Sequence, residues 1–320
     1  LPLLSPARLD RARADGPAAK PEPTVLYLAY GSNLCYETFQ DRRGVRPLAQ
    51  VNVQVPELRL TFDLPGIPYT EPCFANTARR RADGGDNSDG GDDGGKEKEK
   101  EKGERRWTKG LVGVVYEVTS EDYAHIIATE GGGSAYHDVL VDCYPLEHGR
   151  DTVPRTHPDV PPFKAHTLFA PRQDPDDPSS GSGGRLSRPD PSYAQPSARY
   201  LKLITDGADE CSLPAEYREY LGALRPYTIT TQKQRLGAFI FLSLWGPFIA
   251  LVFALQEAFK DSDGRSPDWL VQLSGAIFAA VWSSYDTFFH DVFGDGERTM
   301  DEHDQSDRDV CARRGPARRW

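Results

Sequence analysis

Apolar residues follow two different patterns along this chain. In the first two thirds they form short β-rich runs bounded by turn residues, which is typical of buried strands. Two other segments predict helices; in the first, Ser120 can cap the helix, and Glu121 and Asp122 favour its positive end. The predicted class is α+β. The strands are expected at 25–29, 51–55, 58–62, 110–118, 139–144 and 164–170, and the helices at 120–128 and 214–224.

Near the C-terminus the apolar residues form long uncharged runs. Residues 236–256 carry no charge and, as a helix, would span about 31 Å, close to the thickness of a bilayer's hydrocarbon core. The shorter run 269–285 follows a polar link, so the pair predicts a transmembrane helical hairpin. A buried helix of a soluble domain is the alternative for the first run. Lys233 and Arg235 weakly favour a membrane-anchored protein whose preceding domain faces the cytosol.

Charged and Pro-rich segments interrupt the remaining chain. Residues 79–106 and 171–192 are too polar to bury a core, and they predict disordered insertions in a domain at 24–227. Residues 1–23 are expected to be a disordered lead-in and residues 286–320 a disordered acidic tail. A chain ending near Tyr227 is therefore expected to fold without the hairpin.

Composition narrows the classes of function. The 320 residues carry a net charge of −10, which argues against a protein that neutralises nucleic-acid phosphates. The five cysteines form no CxxC pair, and the histidines show no metal-binding spacing, so neither a disulfide framework nor a metal or other cofactor is expected.

Two segments carry candidate chemistry. The first predicted strand ends in Tyr30-Gly31-Ser32-Asn33-Leu34-Cys35, and we call residues 30–35 the GSN loop. A tight turn after a buried strand presents backbone N–H groups that can bind a carboxylate or an oxyanion. A turn without a binding role at the end of a strand would show the same sequence pattern. Cys35 could instead be a nucleophile paired with His125 or His137, but packing is the simpler role.

Glu130 is the second candidate. It follows the helix predicted at 120–128 and precedes three glycines, where the backbone can approach a ligand closely. Burial there would raise the pKa of its carboxyl group into the range that suits proton transfer. An exposed carboxylate at a helix end is the alternative.

The order of these segments resembles the gamma-glutamylcyclotransferase family. The run LYLAYGSNL, a strand ending GVVYEV, a helix ending in EGG and the stretch from Gly207 to Tyr217 carry the resemblance, which covers about residues 24–227. It implies a mixed β-barrel with flanking helices. It also implies a carbon–nitrogen lyase that closes a gamma-glutamyl amide to 5-oxoproline and releases an amine, without a cofactor.

The resemblance assigns roles to individual residues. Glu130 would be the catalytic base and acid. The GSN loop, namely Tyr30, Gly31, Ser32, Asn33, Leu34 and Cys35, would hold the glutamyl group, and Tyr200 would supply a hydroxyl to it. Two alternatives stay open: a membrane-tethered, non-catalytic gamma-glutamyl-binding or scaffold protein, and an enzyme acting on another substrate such as a glutathione adduct.

Overall fold

The computed structural model describes residues 1–13, 23–80, 107–129, 137–147, 149–169, 188, 193–259, 261 and 266–300. The predicted insertions 79–106 and 171–192 lie outside the described residues, except for residues 79–80 and 188. The strands are β1 Thr24–Ala29, β2 Ala49–Val55, β3 Leu58–Ile67, β4 Glu71–Arg79, β5 Leu111–Thr119, β6 His137–Pro145 and β7 Phe163–Phe169. The helices are α1 Pro6–Arg13, α2 Ser120–Thr129, α3 Ala198–Glu210, α4 Ala215–Gly222, α5 Gln232–Phe259, α6 Asp268–Ser284 and α7 His290–Phe293.

The chain divides into two units that alternate along the sequence. The first comprises Leu1–Thr61, Ala75–Pro171 and Lys202–Leu224, and the second comprises Phe62–Phe74, Arg172–Leu201 and Arg225–Trp320. The division does not follow the linear boundary expected near residue 227. The tip of the β3–β4 hairpin and the start of α3 belong to the second unit, although the sequence analysis assigns both to the domain at 24–227.

Five strands of the first unit close into a barrel in the order β1-β5-β2-β6-β7. Neighbouring strands are antiparallel, except that β1 and β7 pair in parallel at Tyr27 and His166 and thereby close the barrel. The side chains of β5 are buried along almost its whole length, which explains its continuous apolar run. The expected α+β fold with a mixed barrel is confirmed, and β3 and β4 form a separate two-stranded sheet.

The expected lead-in is partly wrong, because residues 1–13 are structured. The Leu4 N–H donates to the Gln50 carbonyl oxygen at 3.0 Å, and Arg8 Nε donates to Glu117 Oε1 at 3.1 Å. The Arg8 side chain is only 7% exposed, so this ion pair ties α1 to the end of β5. The segment has no apolar periodicity, and its order comes from these tertiary partners, which local sequence does not reveal.

The start of α2 also differs in detail from the expectation. The hydroxyl of Thr119, and not that of Ser120, accepts the Asp122 N–H at 3.0 Å and caps the helix. Ser120 Oγ instead donates to the Pro23 carbonyl oxygen at 3.3 Å. Strand β5 therefore supplies the cap of the helix that follows it.

The core of the second unit combines the β3–β4 hairpin tip with the C-terminal helices. Tyr69 lies in the hairpin tip, and its hydroxyl donates to the Gly294 carbonyl oxygen at 2.8 Å. Trp282 is 1% exposed, and its Nε1–H donates to the Gly66 carbonyl oxygen at 3.2 Å. The remaining fully buried members of this cluster are Phe241, Val281 and Tyr285.

The predicted transmembrane hairpin is not supported. Among the described residues, one helix, α5, is long and apolar enough to cross a membrane by length and composition, and 22% of its most apolar window is buried. Helix α6 has 17 residues, or about 26 Å, which is short of the roughly 30 Å hydrocarbon core. Val281 and Trp282 near its C-terminal end also pack within the second unit. Both helices exist where expected, but the second does not have the length of a span.

The acidic tail expected at 286–320 begins with structured residues, and residues 301–320 lie outside the described chain. The buried carboxylate of Asp295 accepts the N–H groups of Glu297 at 2.7 Å and Arg298 at 2.9 Å. The guanidinium of Arg188 pairs with Asp286 and Glu297 and lies 4.2 Å from the ring centre of Trp282. Buried carboxylates need such partners. These acidic residues therefore serve the fold, and the expectation of a wholly disordered tail is wrong for 286–300.

Candidate active site

The GSN loop leaves β1 at the end of a buried strand, as expected. Residues Ser32–Leu34 form a 3₁₀ turn, in which the Leu34 N–H donates to the Gly31 carbonyl oxygen at 3.0 Å. The Cys35 N–H donates to the Ser32 carbonyl oxygen at 3.1 Å. The turn therefore uses the N–H groups of Leu34 and Cys35, and the Leu34 N–H is one of the four that were expected to face an anion.

Two side chains of the GSN loop anchor it to the barrel. The buried hydroxyl of Tyr30 donates to the Leu168 carbonyl oxygen of β7 at 2.9 Å. Asn33 Nδ2 donates to the hydroxyl of Tyr27 on β1 at 2.8 Å. The hydroxyl of Tyr30 is thus bonded to the barrel, so the geometry gives it an anchoring role, whereas Gly31 and Ser32 are the half-exposed members of the loop.

Cys35 is 3% exposed, which favours packing over the nucleophilic role considered above. His125 lies on the exposed side of α2, and the side chain of His137 lies outside the described part of the chain. Within the residues that the structure describes, no group of three or more His, Cys, Asp or Glu side chains could hold a metal ion.

The last turns of α3 pack directly on the GSN loop, a contact that the sequence analysis did not foresee. At Gly207, an added Cβ would lie 2.4 Å from both the Cys35 nitrogen and the Leu34 carbonyl carbon. Glu210 Oε2 accepts the N–H of Tyr36 at 2.7 Å. Gly207 belongs to the stretch from Gly207 to Tyr217 that carries the family resemblance. A glycine inside a helical segment is a sequence signal of such a close contact.

Cys211 continues this contact at the end of α3. Its Sγ lies 3.5 Å from the Leu34 carbonyl oxygen and 3.2 Å from the hydroxyl of Tyr116. Burial raises the pKa of the Cys211 thiol, and burial followed by the charge of Cys211 raises the pKa of Tyr116. Both groups therefore keep their protons, so the Tyr116 hydroxyl can donate to the sulfur while the thiol donates to Leu34.

Glu130, the predicted catalytic residue, lies outside the described residues. Helix α2, which ends at Thr129, packs on the strand that leads into the GSN loop: the rings of Tyr123 and Tyr27 are 6.1 Å apart. The segment that contains Glu130 therefore starts from a helix fixed to β1.

A hydrogen bond between a histidine and a carboxylate joins β6 to β7 near the start of β6. His166 Nδ1 on β7 is 2.8 Å from Asp138 Oδ1, and Asp138 is the second residue of β6. The ring of Tyr123 lies 5.4 Å from that of His166. Burial, together with the charge of the nearby Asp138, raises the pKa of the Tyr123 hydroxyl. These contacts join α2 to β6 and β7.

Tyr200 lies in the second unit, at the start of α3. It is 7% exposed, and its ring packs edge to face on Phe74 with the ring centres 5.0 Å apart. Its N–H donates to Ser197 Oγ at 3.0 Å, so Ser197 caps the helix. Its predicted hydroxyl contact with a glutamyl group stays a prediction.

Comparison with known proteins identifies the family. Residues 231–292 match the family described as AclK C-terminal domain. Gamma-glutamyl cyclotransferase gliK of Aspergillus fumigatus is 30% identical over 285 residues, which cover 88% of this chain and 93% of that protein. Gamma-glutamyl cyclotransferase aclK of Aspergillus oryzae is 29% identical over 280 residues, covering 85% and 90%.

Solved structures give a weaker likeness. A structure described as gamma-glutamyl cyclotransferase covers 65% of this chain and 92% of its own, at 18% identity and a TM-score of 0.41. The sequence similarity to gliK extends over nearly the whole of both chains. The chain therefore belongs to the gamma-glutamyl cyclotransferase family of enzymes.

Proposed function

We propose that this enzyme cyclises a gamma-glutamyl amide to 5-oxoproline and releases the amine, with Glu130 moving the protons and the GSN loop holding the substrate. The similarity to curated cyclotransferases over most of the chain carries the proposal. The barrel, the 3₁₀ turn after β1 and the position of α2 support it.

The reaction needs no nucleophile from the protein. The substrate's own α-amine attacks its γ-carbonyl carbon, so a carbon–nitrogen bond forms in a five-membered lactam while the γ-amide bond breaks. The α-ammonium nitrogen loses two protons as it becomes the lactam N–H, and the departing nitrogen gains two as it leaves as an ammonium group, so no water is consumed. The enzyme therefore has to hold a folded conformer and transfer a proton.

The GSN loop suits the permanent charge of this substrate. The N–H groups of Gly31, Ser32 and Asn33 precede or lie within a 3₁₀ turn, and such a turn can cradle the α-carboxylate of the glutamyl group. The anchors at Tyr30 and Asn33 keep the turn fixed before the substrate arrives. In this assignment the loop binds a group that is unchanged by the reaction.

Glu130 is assigned as base and then acid. It would take the proton of the α-ammonium group and return it to the departing amine, which requires a carboxyl pKa close to the working pH. Its segment runs from α2 to β6, and the contacts of Tyr123, Asp138 and His166 join that helix to β6 and β7.

Release of 5-oxoproline tests the activity directly. The full chain, in mild detergent, is incubated with gamma-glutamyl-alanine, glutathione and a glutathione S-conjugate, and 5-oxoproline is measured by mass spectrometry. Glu130→Gln keeps the shape and removes the base, so kcat should fall about 10²-fold or more. Glu121→Gln, on the first turn of α2, is the control and should leave kcat unchanged. Equal activity of wild type and Glu130→Gln would refute the role of Glu130, and tight 5-oxoproline binding without turnover would favour the non-catalytic alternative.

We also propose that α5 anchors the enzyme in a membrane, with the catalytic barrel on the cytosolic side. At 100° per residue, the exposed large apolar side chains of α5 cover an arc of about 260°, whereas a stripe of about 100° suffices to pack a surface helix on a protein core. They run from one end of the helix to the other, at Leu236, Phe239, Ile240, Leu242, Leu244, Phe248, Leu251, Phe253 and Phe259. So wide an arc suits lipid better than one protein groove, and α6 would accompany α5 as the shorter arm.

Flotation with phosphatidylcholine vesicles tests this anchoring. The detergent-free full chain should float with the vesicles, and the double variant Phe239→Ser with Leu251→Ser should float several-fold less, because both side chains are more than half exposed. In sealed microsomes, added protease should reach the barrel if it faces the cytosol. A wild-type chain that stays in the soluble fraction beside vesicles, or that hides this face in a dimer, contradicts the proposal.

A further inference from the structure

We infer that the C-terminal half of α3 is a clamp that positions the GSN loop for substrate binding, through Gly207, Glu210 and Cys211. The inference rests on the proposed function, because it takes the GSN loop as the site of the glutamyl carboxylate. These three residues contact the loop itself, so they are positioning residues.

Gly207 sets the distance between the helix and the loop. An added Cβ would come within 2.4 Å of two backbone atoms and within 2.6 Å of Leu34 Cβ. Real side chains do not approach backbone so closely, so any side chain at this position must push the loop away from α3. The glycine is inside a helix, where its backbone entropy costs about 1 kcal/mol relative to alanine, and the close contact explains why the position needs a glycine despite that cost.

Glu210 and Cys211 hold the chain on both sides of Cys35. Glu210 accepts the N–H of Tyr36 at 2.7 Å, and Cys211 donates to the carbonyl oxygen of Leu34 at 3.5 Å. The hydroxyl of Tyr116 on β5 completes the chain of hydrogen bonds at the sulfur. The helix thus bonds the GSN loop at Leu34 and the chain directly after the loop at Tyr36.

The clamp is itself fixed to the barrel. Asn52 Nδ2 on β2 donates to the carbonyl oxygens of Cys211 and Ser212, each at 3.1 Å. Ser212 adopts a left-handed conformation, with φ of 49°, which ends α3 at this point. The barrel therefore fixes the end of α3, and α3 fixes the loop.

A shift at Leu34 would reach the N–H groups that are proposed to bind substrate. The Leu34 N–H donates to the Gly31 carbonyl oxygen at 3.0 Å, so the end of the turn is bonded directly to its beginning. A displacement of about 1 Å in a positioned group is enough to weaken binding or catalysis strongly. Because the carboxylate is bound in both the ground state and the transition state, the clamp should act on KM more than on kcat.

Two variant pairs test the clamp in the full chain. Gly207→Ala should raise KM about tenfold or more, while Gly222→Ala, a helical glycine of α4 with open space around it, should leave KM unchanged. Glu210→Ala should raise KM about fivefold, because the hydrogen bond is partly exposed, and Glu210→Gln should restore it by keeping an acceptor. Asp209→Ala removes a neighbouring surface carboxylate bound to Arg218 and serves as the second control.

Three readouts separate the possible results. They are KM and kcat for a gamma-glutamyl amide, the Kd of 5-oxoproline, and amide hydrogen exchange of residues 31–36. A parallel rise in KM, Kd and exchange in Gly207→Ala and Glu210→Ala, with kcat changed less than about twofold and rescue by Glu210→Gln, supports the clamp. Because Glu210 is exposed, its variants should fold even if Gly207→Ala does not.

Failure of the clamp differs from failure of the proposed function. Unchanged exchange at residues 31–36 in Glu210→Ala overturns the clamp, whatever the activity. Faster exchange with unchanged KM and Kd overturns its role in substrate binding. If the wild type turns over no gamma-glutamyl substrate and binds no 5-oxoproline, the proposed function fails, and the positioning role fails with it.

Discussion

Phe241 and Phe239 are two residues apart on α5, but one is buried and the other is exposed. Replacing each by alanine tests whether this apolar helix is part of a folded core. Phe241 is 0% exposed, and Phe239 is 69% exposed. Phe241 packs edge to face on Tyr69 and Phe289, with ring centres 5.8 Å and 5.0 Å away. Removing a buried Phe side chain typically costs about 3–5 kcal/mol, through lost transfer free energy and the cavity that remains. Each aromatic pair adds about 0.5–1.5 kcal/mol to what burial provides.

Equilibrium unfolding of the full chain in urea and mild detergent, monitored by tryptophan fluorescence, measures this difference in stability. With a slope of about 2 kcal/mol per molar urea, a loss of about 4 kcal/mol in Phe241→Ala lowers the midpoint by about 2 M. Phe239→Ala should change the free energy of unfolding by no more than about 0.5 kcal/mol. Equal midpoints for the two variants would refute the packing of α5 in the second unit, and both residues would then face the same surroundings.

Two further predictions concern the first unit. Tyr30→Phe should lower the free energy of unfolding by about 1–3 kcal/mol, because it leaves a buried carbonyl oxygen without its donor. A large loss of activity without a loss of stability would contradict this anchoring role and would make the hydroxyl a substrate ligand. Glu216→Gln should destabilise the protein near neutral pH. Burial raises the pKa of Glu216, but the hydrogen bonds of Lys109 and the Val153 N–H, with the charge of Lys109, lower it by more. The stabilisation is therefore present above the unfolded pKa and lost as pH falls through the folded pKa, so urea midpoints of the two proteins should converge below about pH 4.

Local pattern predicts the barrel strands well because each carries its own apolar signal. Strand β5 is nearly continuous in Val and Leu, and its predicted range, 110–118, differs by one residue at each end from Leu111–Thr119. Strand β4, Glu71–Arg79, contains Pro72 and several small or polar residues, and it was not predicted because its pairing with β3 decides its conformation. The parallel closure of β7 on β1 is a long-range pairing that local pattern does not reveal, and the family resemblance implied only a mixed β-barrel.

The site shows the same division between local and long-range information. A turn after β1 follows from its residues, and the 3₁₀ turn at Ser32–Leu34 is what the Gly-Ser-Asn sequence allows. The contact of Gly207 with Cys35 joins residues far apart in the chain, so no local pattern could reveal which helix packs on the loop. The use of the Tyr30 hydroxyl as an anchor likewise depends on β7.

The composition of the second unit argues against the expectation that the C-terminal helices are an anchor separable from the preceding domain. Residues Phe62–Phe74 come from the β3–β4 hairpin of the expected catalytic domain, yet they belong to the unit that contains α5 and α6. Without the residues after 227, the Tyr69 hydroxyl would lose its acceptors at Phe289 and Gly294, and Gly66 would lose the donor from Trp282. Truncation would also expose the buried ring of Tyr69 to water, and burial of a large apolar side chain typically contributes about 1.5–3 kcal/mol. The hairpin tip therefore needs the C-terminal helices for its own packing, and a chain ended at Tyr227 should be destabilised rather than independently folded.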